Sequence, residues 1–456
     1  MPDFIIVILA VIFVLGIAIN IHEFGHFAVA KLLGMRVEAY SFFGLGPRIW
    51  GKKIGHTDYR ISAIPLGAYV KLYGDEATGA LEGGESEGEV VPESELYELR
   101  PRWQKFLVMI GGPFMNILLA LAIPFFGALM MGLPSMPAPV VGVIKTGGAA
   151  AQASIKLGDR IVQFDGVENP TWGRIEHDAL VMPEKEVSIV VEREGQKLPL
   201  KIKPSKVVKD GNVMGTLDLE PDMGVEPVVV NAVSPDKPAA MAGLQAGDKV
   251  LTFNGQPIRN SSEVPNLIRG TNGVPIKLLV ERGGERKELT VQPKQEDDGN
   301  FKVGAAFAPE QIMTREPANI AQAATFAVNS NLEIIRLTGK VFGQLFSGER
   351  SAKDAGLAGP IGIVQIISKV VHEQGFAGLV SILALISLNL GVFNLLPIPM
   401  LDGGQIALLA VEGFLGLFGI AVSMAVKEKI QLVGLGIILL LMVTTIFFDI
   451  SRLFGK

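Results

Sequence analysis

The stretch that decides the fold is "FIIVILAVIFVLGIAINIHEFGH", Phe4 to His26. Phe4 to Ile21 carries no charge, and two histidines and a glutamate follow at once. About 17 apolar residues suffice to cross the hydrocarbon core of a bilayer. Ionisable side chains at that depth are costly, and where they persist they mark function. The run is therefore read as a membrane span that ends on a chemical site. No positive segment precedes it and no small-residue cleavage site follows it, so it is expected to be retained rather than removed as a signal peptide.

Composition agrees with a membrane class: of 456 residues 49% are hydrophobic and 19% charged, and the mean hydropathy is +0.39. Three more stretches can span: the first part of the charge-free run Phe106 to Ile144, Gln374 to about Leu396, and Ile430 to Phe448. Between the first two spans lie Lys31, Arg36, Arg48, Lys52, Lys53, Arg60, Lys71, Arg100, Arg102 and Lys105. Positive residues favour the cytoplasmic side, so this segment is expected inside, with both chain ends outside. Parity then places the stretch from about Met131 to Glu373 outside. A net charge of −5 without a basic block excludes nucleic acid as a partner. Cysteine is absent, so any folded part outside the cytosol must stand on its own core.

The long outer segment contains an internal repeat. "AAQASIKLGDRIVQFDG" (Ala150–Gly166) aligns with "AAMAGLQAGDKVLTFNG" (Ala239–Gly255) at an offset of 89, and "VVEREG" (Val190–Gly195) aligns with "LVERGG" (Leu279–Gly284) at the same offset. One constant offset over two matches means two copies of one module. Each copy reads as an apolar strand, a short Ala-rich helix, an alternating strand closed by an Asp-Gly or Asn-Gly turn, and a late strand pair. This pattern resembles a circularly permuted PDZ domain of the bacterial protease type, which implies capture of an extended peptide by strand addition. A pair of spacers without a ligand is the alternative.

The zinc signature of metalloproteases is carried by "HEFGH", His22–His26: residues four apart project from one helix face and reach one ion, which leaves Glu23 free as a general base on water. A catalytic zinc takes three protein ligands and keeps one open position. The third candidate is Asp402 in "NLLPIPMLDGGQ" (Asn394–Gln405), the single charge between Glu373 and Glu412. Pro397 and Pro399 must break the third helix there. The first and third spans run in the same direction, so both motifs arrive at the cytoplasmic end. Asn394 reads as a donor to substrate or oxyanion, or equally as a helix–helix hydrogen bond. Asn116 in "GGPFMN" reads as packing glue, with Gly111 and Gly112 allowing close approach. Tyr69 in "PLGAYVK" reads as an edge-strand residue or as an interfacial anchor.

Together these motifs resemble the site-2 protease family of intramembrane zinc metalloproteases over nearly the whole chain. The resemblance implies Zn2+ held by His22, His26 and Asp402, Glu23 as base, Asn394 as a catalytic contact, and Gly67, Tyr69, Asn389 and Pro397 as substrate-binding positions. It implies a multi-pass α-helical membrane protein with four transmembrane helices, a membrane-reentrant β-element on the cytoplasmic side and two tandem periplasmic PDZ domains. The expected divisions are 1–34 (first span), 35–73 (β-region), 74–100 (flexible acidic loop), 101–131 (second span), 132–221 and 222–310 (PDZ domains), 311–373 (amphipathic periplasmic helix), 374–405 (third span), 406–429 (cytoplasmic segment) and 430–456 (fourth span and tail). Its partners would be the bilayer, PDZ peptide ligands and single-span substrates, an anti-sigma factor of the sigma-E envelope stress response and remnant signal peptides. The PDZ pair would admit only trimmed substrates. A scaffold with a structural metal and a transporter are the rivals: the first would need a fourth ligand, the second repeats within the spans.

Overall fold

The computed structural model describes residues 3–64, 67–74, 91–209, 212–224, 228–258, 260–261, 263–296, 299–309, 315–352 and 354–454. The chain divides into two compact units. The first comprises Met1–Met131, Ala318–Ile335 and Leu357–Lys456, and the second Gly132–Pro317 and Arg336–Gly356.

In the first unit, α1 (Asp3–Leu32) and α2 (Arg102–Met131) have 30 residues each. At 1.5 Å per residue each is about 45 Å long, more than the hydrocarbon thickness. Helix α3 (Ile320–Phe346) contributes residues 320–335 to this unit. Helices α4 (Pro360–Asn394), α5 (Asp402–Gly416) and α6 (Met424–Phe454) follow. Among the described residues α1, α2, α4 and α6 are long and apolar enough to cross a membrane. Val14, Ala18, Ile367, Ile382 and Leu383 form the core between α1 and α4.

The expected third span is longer than its apolar run. Helix α4 starts at Pro360 rather than near Gln374, so "GPIGI" (Gly359–Ile363) opens the helix; the helix breaks once, at Gly375 (φ 61°, ψ −146°). Proline at the first helical position loses no internal hydrogen bond. The free N–H groups of that first turn are taken by a residue of α6: Asp449 accepts from Gly359 (3.1 Å) and Gly362 (2.9 Å). The Asp449 carboxylate thus caps a positive helix end from another helix.

A second unexpected contact repairs a proline. Pro124 lies inside α2 and has no N–H, which deprives the Ala120 carbonyl of its helical donor. Asn331 of α3 supplies the missing donor, its Nδ2 lying 3.1 Å from the Ala120 oxygen. The first part of α3 is therefore bonded into the helical unit rather than lying loose at its surface.

Between α1 and α2 runs a four-stranded sheet of β1 (Val37–Ser41), β2 (Leu45–Ile54), β3 (Thr57–Ile64) and β4 (Tyr69–Leu72), in the order β2-β3-β1-β4. Strands β2 and β3 form a hairpin that exposes Ile49 and Trp50, 69% and 68% accessible. Strand β4 closes the other edge and pairs only with β1 among the described residues. Of the expected acidic loop, residues 75–90 lie outside the described residues. Residues 91–100 fold back on the sheet: Arg36 pairs with Glu95 at 2.6 Å, and the Tyr97 N–H donates to Tyr73.

The second unit holds the two repeats, each with its own core, around Ile161, Ile175 and Ile189 in copy 1 and Val250, Val264 and Leu278 in copy 2. The repeated "GD" and "VER" segments meet in space. Asp159 takes two bonds of 2.7 Å from the Arg193 guanidinium, and Asp248 takes bonds of 2.6 and 2.7 Å from Arg282. The same carboxylates accept the backbone N–H of Lys156 and Gln245. Burial alone would raise both carboxyls, but the arginine and backbone donors outweigh it and hold them below the usual carboxylate range. The Asp165-Gly166 and Asn254-Gly255 turns have positive φ at both residues, the tight hairpin geometry their composition favours.

The copies differ at their last strand and at one helix. In copy 2, Ala305–Pro309 pairs with Val228–Val233, whereas in copy 1 only Leu219–Pro221 pairs with the corresponding Val141–Ile144. Residues 336–346 of α3 pack on copy 1: Leu337 and Val341 join its core, while Arg336 and Lys340 bond the buried Asp178 at 2.7 and 3.1 Å.

Candidate metal centre

His22 and His26 lie one turn apart on α1, and Asp402 is the first residue of α5, just past the break after Asn394. Two glycines explain how Asp402 gets there. A Cβ at Gly403 would strike the Leu395 carbonyl and one at Gly404 the Ile398 carbonyl, so the first turn of α5 rests directly on the loop that precedes it. Within that loop Met400 adopts φ 79°, a conformation that side chains rarely hold.

Three ligand side chains converge. His22 Nε2 is 3.1 Å from Asp402 Oδ2, His26 Nε2 is 3.4 Å from Asp402 Oδ1, and the two Nε2 atoms are 3.2 Å apart. A tetrahedral zinc with ligands at about 2.0–2.1 Å sets neighbouring ligand atoms about 3.3 Å apart. The triad therefore fits the ion. Asp402 Oδ2 is buried and meets no hydrogen-bond donor of suitable geometry, which leaves a lone pair for a metal.

Helix α2 holds the histidines in place. His26 Nδ1 donates to the Val108 carbonyl at 2.7 Å, which leaves Nε2 as the free lone pair. The Asn116 amide lies 3.2 Å from His22 Nδ1. Between these two contacts sits Gly112, where a Cβ would collide with the His26 ring; Gly111 and Gly25 meet backbone to backbone. Glu23 lies beside the triad, with the Val70 backbone of strand β4 next to its carboxylate. The Asn394 amide nitrogen is 3.2 Å from His22 Nε2, on the ligand side of the ring.

Of the remaining candidates, Tyr69 is buried in β4 under the Arg60 guanidinium, and the Gly67 carbonyl accepts the Gly44 N–H. Asn389 is half-buried, five residues before Asn394 and hence about 140° around the helix from it. Pro397 is exposed in the loop before Asp402. That Asn116 reaches a metal ligand is not legible in the sequence; its place in "GGPFMN", one turn past Gly112, is the available signal.

A buried His2Asp triad, a carboxylate base beside it and helices able to cross a membrane define a zinc-dependent membrane metalloprotease of the site-2 protease type. The chain belongs to peptidase family M50, whose model matches residues 10–441. The Regulator of sigma-E protease RseP of Escherichia coli is 32% identical over 96% of this chain and 97% of its own length. Protease RseP of Yersinia pestis is 33% identical over 97% and 98%. A Vibrio cholerae protein that carries "zinc metalloprotease" in its name is 32% identical over 99% and 100%. Among solved structures, the PDZ domain of an SdrC-like protein from Listeria innocua is 25% identical over 19% of this chain and 98% of its own, with a TM-score of 0.18.

Proposed function

We propose that this protease cuts proteins that cross the inner membrane once, within or beside the bilayer. Its substrates would be an anti-sigma factor and remnant signal peptides; the sigma-E regulators among its relatives support the first. The observation that carries the reading is the meeting of His22, His26 and Asp402 with Glu23 at one point, where segments from opposite ends of the chain join. Zinc held by the triad supplies a Lewis acid for the scissile carbonyl and for water. Glu23 takes the proton from water and passes it to the leaving amine. The Asn394 amide, on the same side of His22 as the ligand atoms, donates to the carbonyl oxygen as charge develops.

A substrate helix must unwind first, because its carbonyls are otherwise bonded within the helix. The edge of β4 is the place to hold the opened strand. Glu23 lies next to Val70 of that strand, so the base is close to the edge, with Gly67 and Tyr69 at its start and Asn389 and Pro397 contributing from the α4 side. The exposed Ile49 and Trp50 support a hairpin that dips into the membrane.

The two repeats act as PDZ domains on the periplasmic side, with the chain ends on that side too, and restrict entry to trimmed substrates. Copy 2 retains a cavity of about 470 Å³ between helix Glu263–Gly270 and the strand Ala305–Pro309, lined by Lys237, Ile268, Arg269 and Phe307 among others, where an extended peptide would fit. In copy 1 the buried Asp178 of the matching helix is held by α3.

The test is cleavage of a single-span reporter by the purified chain in liposomes, with Glu23→Gln beside it. The variant should keep its zinc and lose about 10²- to 10⁴-fold in rate. Cleavage by the variant at the parental rate would overturn the assignment.

A further inference from the structure

Asn116 is fully buried in α2, and so is Ser387 in α4. As positioned, the Asn116 amide nitrogen faces His22 Nδ1 at 3.2 Å, and its amide oxygen faces Ser387 Oγ at 3.3 Å. Which end of an amide is nitrogen follows from its hydrogen-bond partners and not from its shape. His22 meets the other two ligands through Nε2, so a metal-bound His22 carries its proton on Nδ1 and needs an acceptor there. The amide oxygen must then face His22, and the amide NH2 turns to Ser387.

This arrangement gives each of the three side chains a matched partner. His22 Nδ1–H donates to Asn116 Oδ1. Asn116 Nδ2–H donates to Ser387 Oγ. The Ser387 hydroxyl donates onward to the Asn116 backbone carbonyl, 2.9 Å away. The opposite orientation would leave His22 Nδ1 as the acceptor and put its proton on Nε2, where the ion belongs.

We infer that Asn116, oriented by Ser387, is the positioning residue that fixes the metal-binding tautomer of His22. The counterpart for His26 is the Val108 carbonyl on the same face of α2. A backbone oxygen can only accept, and so fixes its tautomer unaided. An amide can present either end, which is why a second residue is required to set it. Ser387 is suited to that task because α4 passes close to α2 there: a Cβ at Gly391, one turn further along, would lie 3.0 Å from the Pro113 carbonyl and 3.3 Å from Asn116 Cβ. A role in helix packing alone would be served by any hydrogen bond between α2 and α4 and would need nothing of His22.

The experiment measures zinc dissociation from the purified full-length chain by chelator competition, with the visible absorption of Co2+ loaded in its place as a report on ligand geometry. Asn116→Leu should weaken zinc binding about 10- to 100-fold. Asn116→Asp, whose carboxylate can only accept, should restore most of that loss without Ser387. Ser387→Ala alone should weaken binding less than Asn116→Leu, and Ser387→Ala should cost nothing in the Asn116→Asp background. Parental zinc affinity in Asn116→Leu, or Asn116→Asp no better than Asn116→Leu, would overturn the inference. Should Asn116→Leu fail to fold, the Ser387→Ala pair decides: an equal loss with Asn116 and with Asp at position 116 leaves Ser387 a packing contact and refutes the relay.

Discussion

The repeats and the metal centre handle their buried carboxylates in opposite ways. In the repeats, Asp159 and Asp248 are each closed off by a two-pronged arginine and a backbone N–H. At the metal centre Asp402 is almost as enclosed, with 16% of its side chain accessible, but it faces two imidazole lone pairs and keeps Oδ2 without a donor. The first arrangement is finished and holds a fold together. The second is complete only with a cation, and the difference separates a structural carboxylate from a ligand more sharply than burial does.

The contrast can be broken from either side. The largest effect is expected from Asp248→Ala, which strands Arg282 against the second repeat. That unit should lose about 3 kcal/mol, seen as faster hydrogen exchange in Val228–Pro309, while zinc content stays unchanged. Gly112→Ala should do the reverse. Its methyl group would press on the His26 ring, zinc affinity should drop about 10-fold or more by chelator competition, and exchange in the repeats should stay parental. The smallest effect is a titration. The folded repeats hold Asp159 and Asp248 below their unfolded value, so each adds stability above about pH 4 that is lost as pH falls through the folded value. Thermal unfolding of the repeats should therefore weaken on acidification in the parent and much less in an Asp159→Asn, Asp248→Asn double variant. An equal response would show that other groups carry the acid sensitivity.

The comparison also explains what could be read from the sequence. Apolar runs, the constant offset of the repeats and the two ligand motifs are local patterns, and each is legible because its physics is local. The pairing of "GD" with "VER" was visible only as repetition; that the two segments touch required the fold. Asn116 looked like packing glue because its partner is 94 residues away in sequence. The start of α4 at Pro360 was hidden for a similar reason, since the residue that caps it, Asp449, lies on the last helix. Copy 1 and copy 2 share their spacing up to the last strand and then part, so an offset of 89 overstates their likeness there.

The bond from Asn331 to the Ala120 carbonyl has a consequence in time. A ribosome feeds the chain out from its N-terminus, and the donor for Ala120 lies 211 residues downstream. Until it emerges, α2 carries an Ala120 carbonyl without a helical donor at Pro124, and both repeats are synthesised during the wait. The helix that carries the supports for both histidines is therefore finished late, after the two repeats have been made. A newly made chain passes through a long interval in which His22 and His26 exist and their scaffold is unfinished, and the third ligand, Asp402, is made only after Asn331.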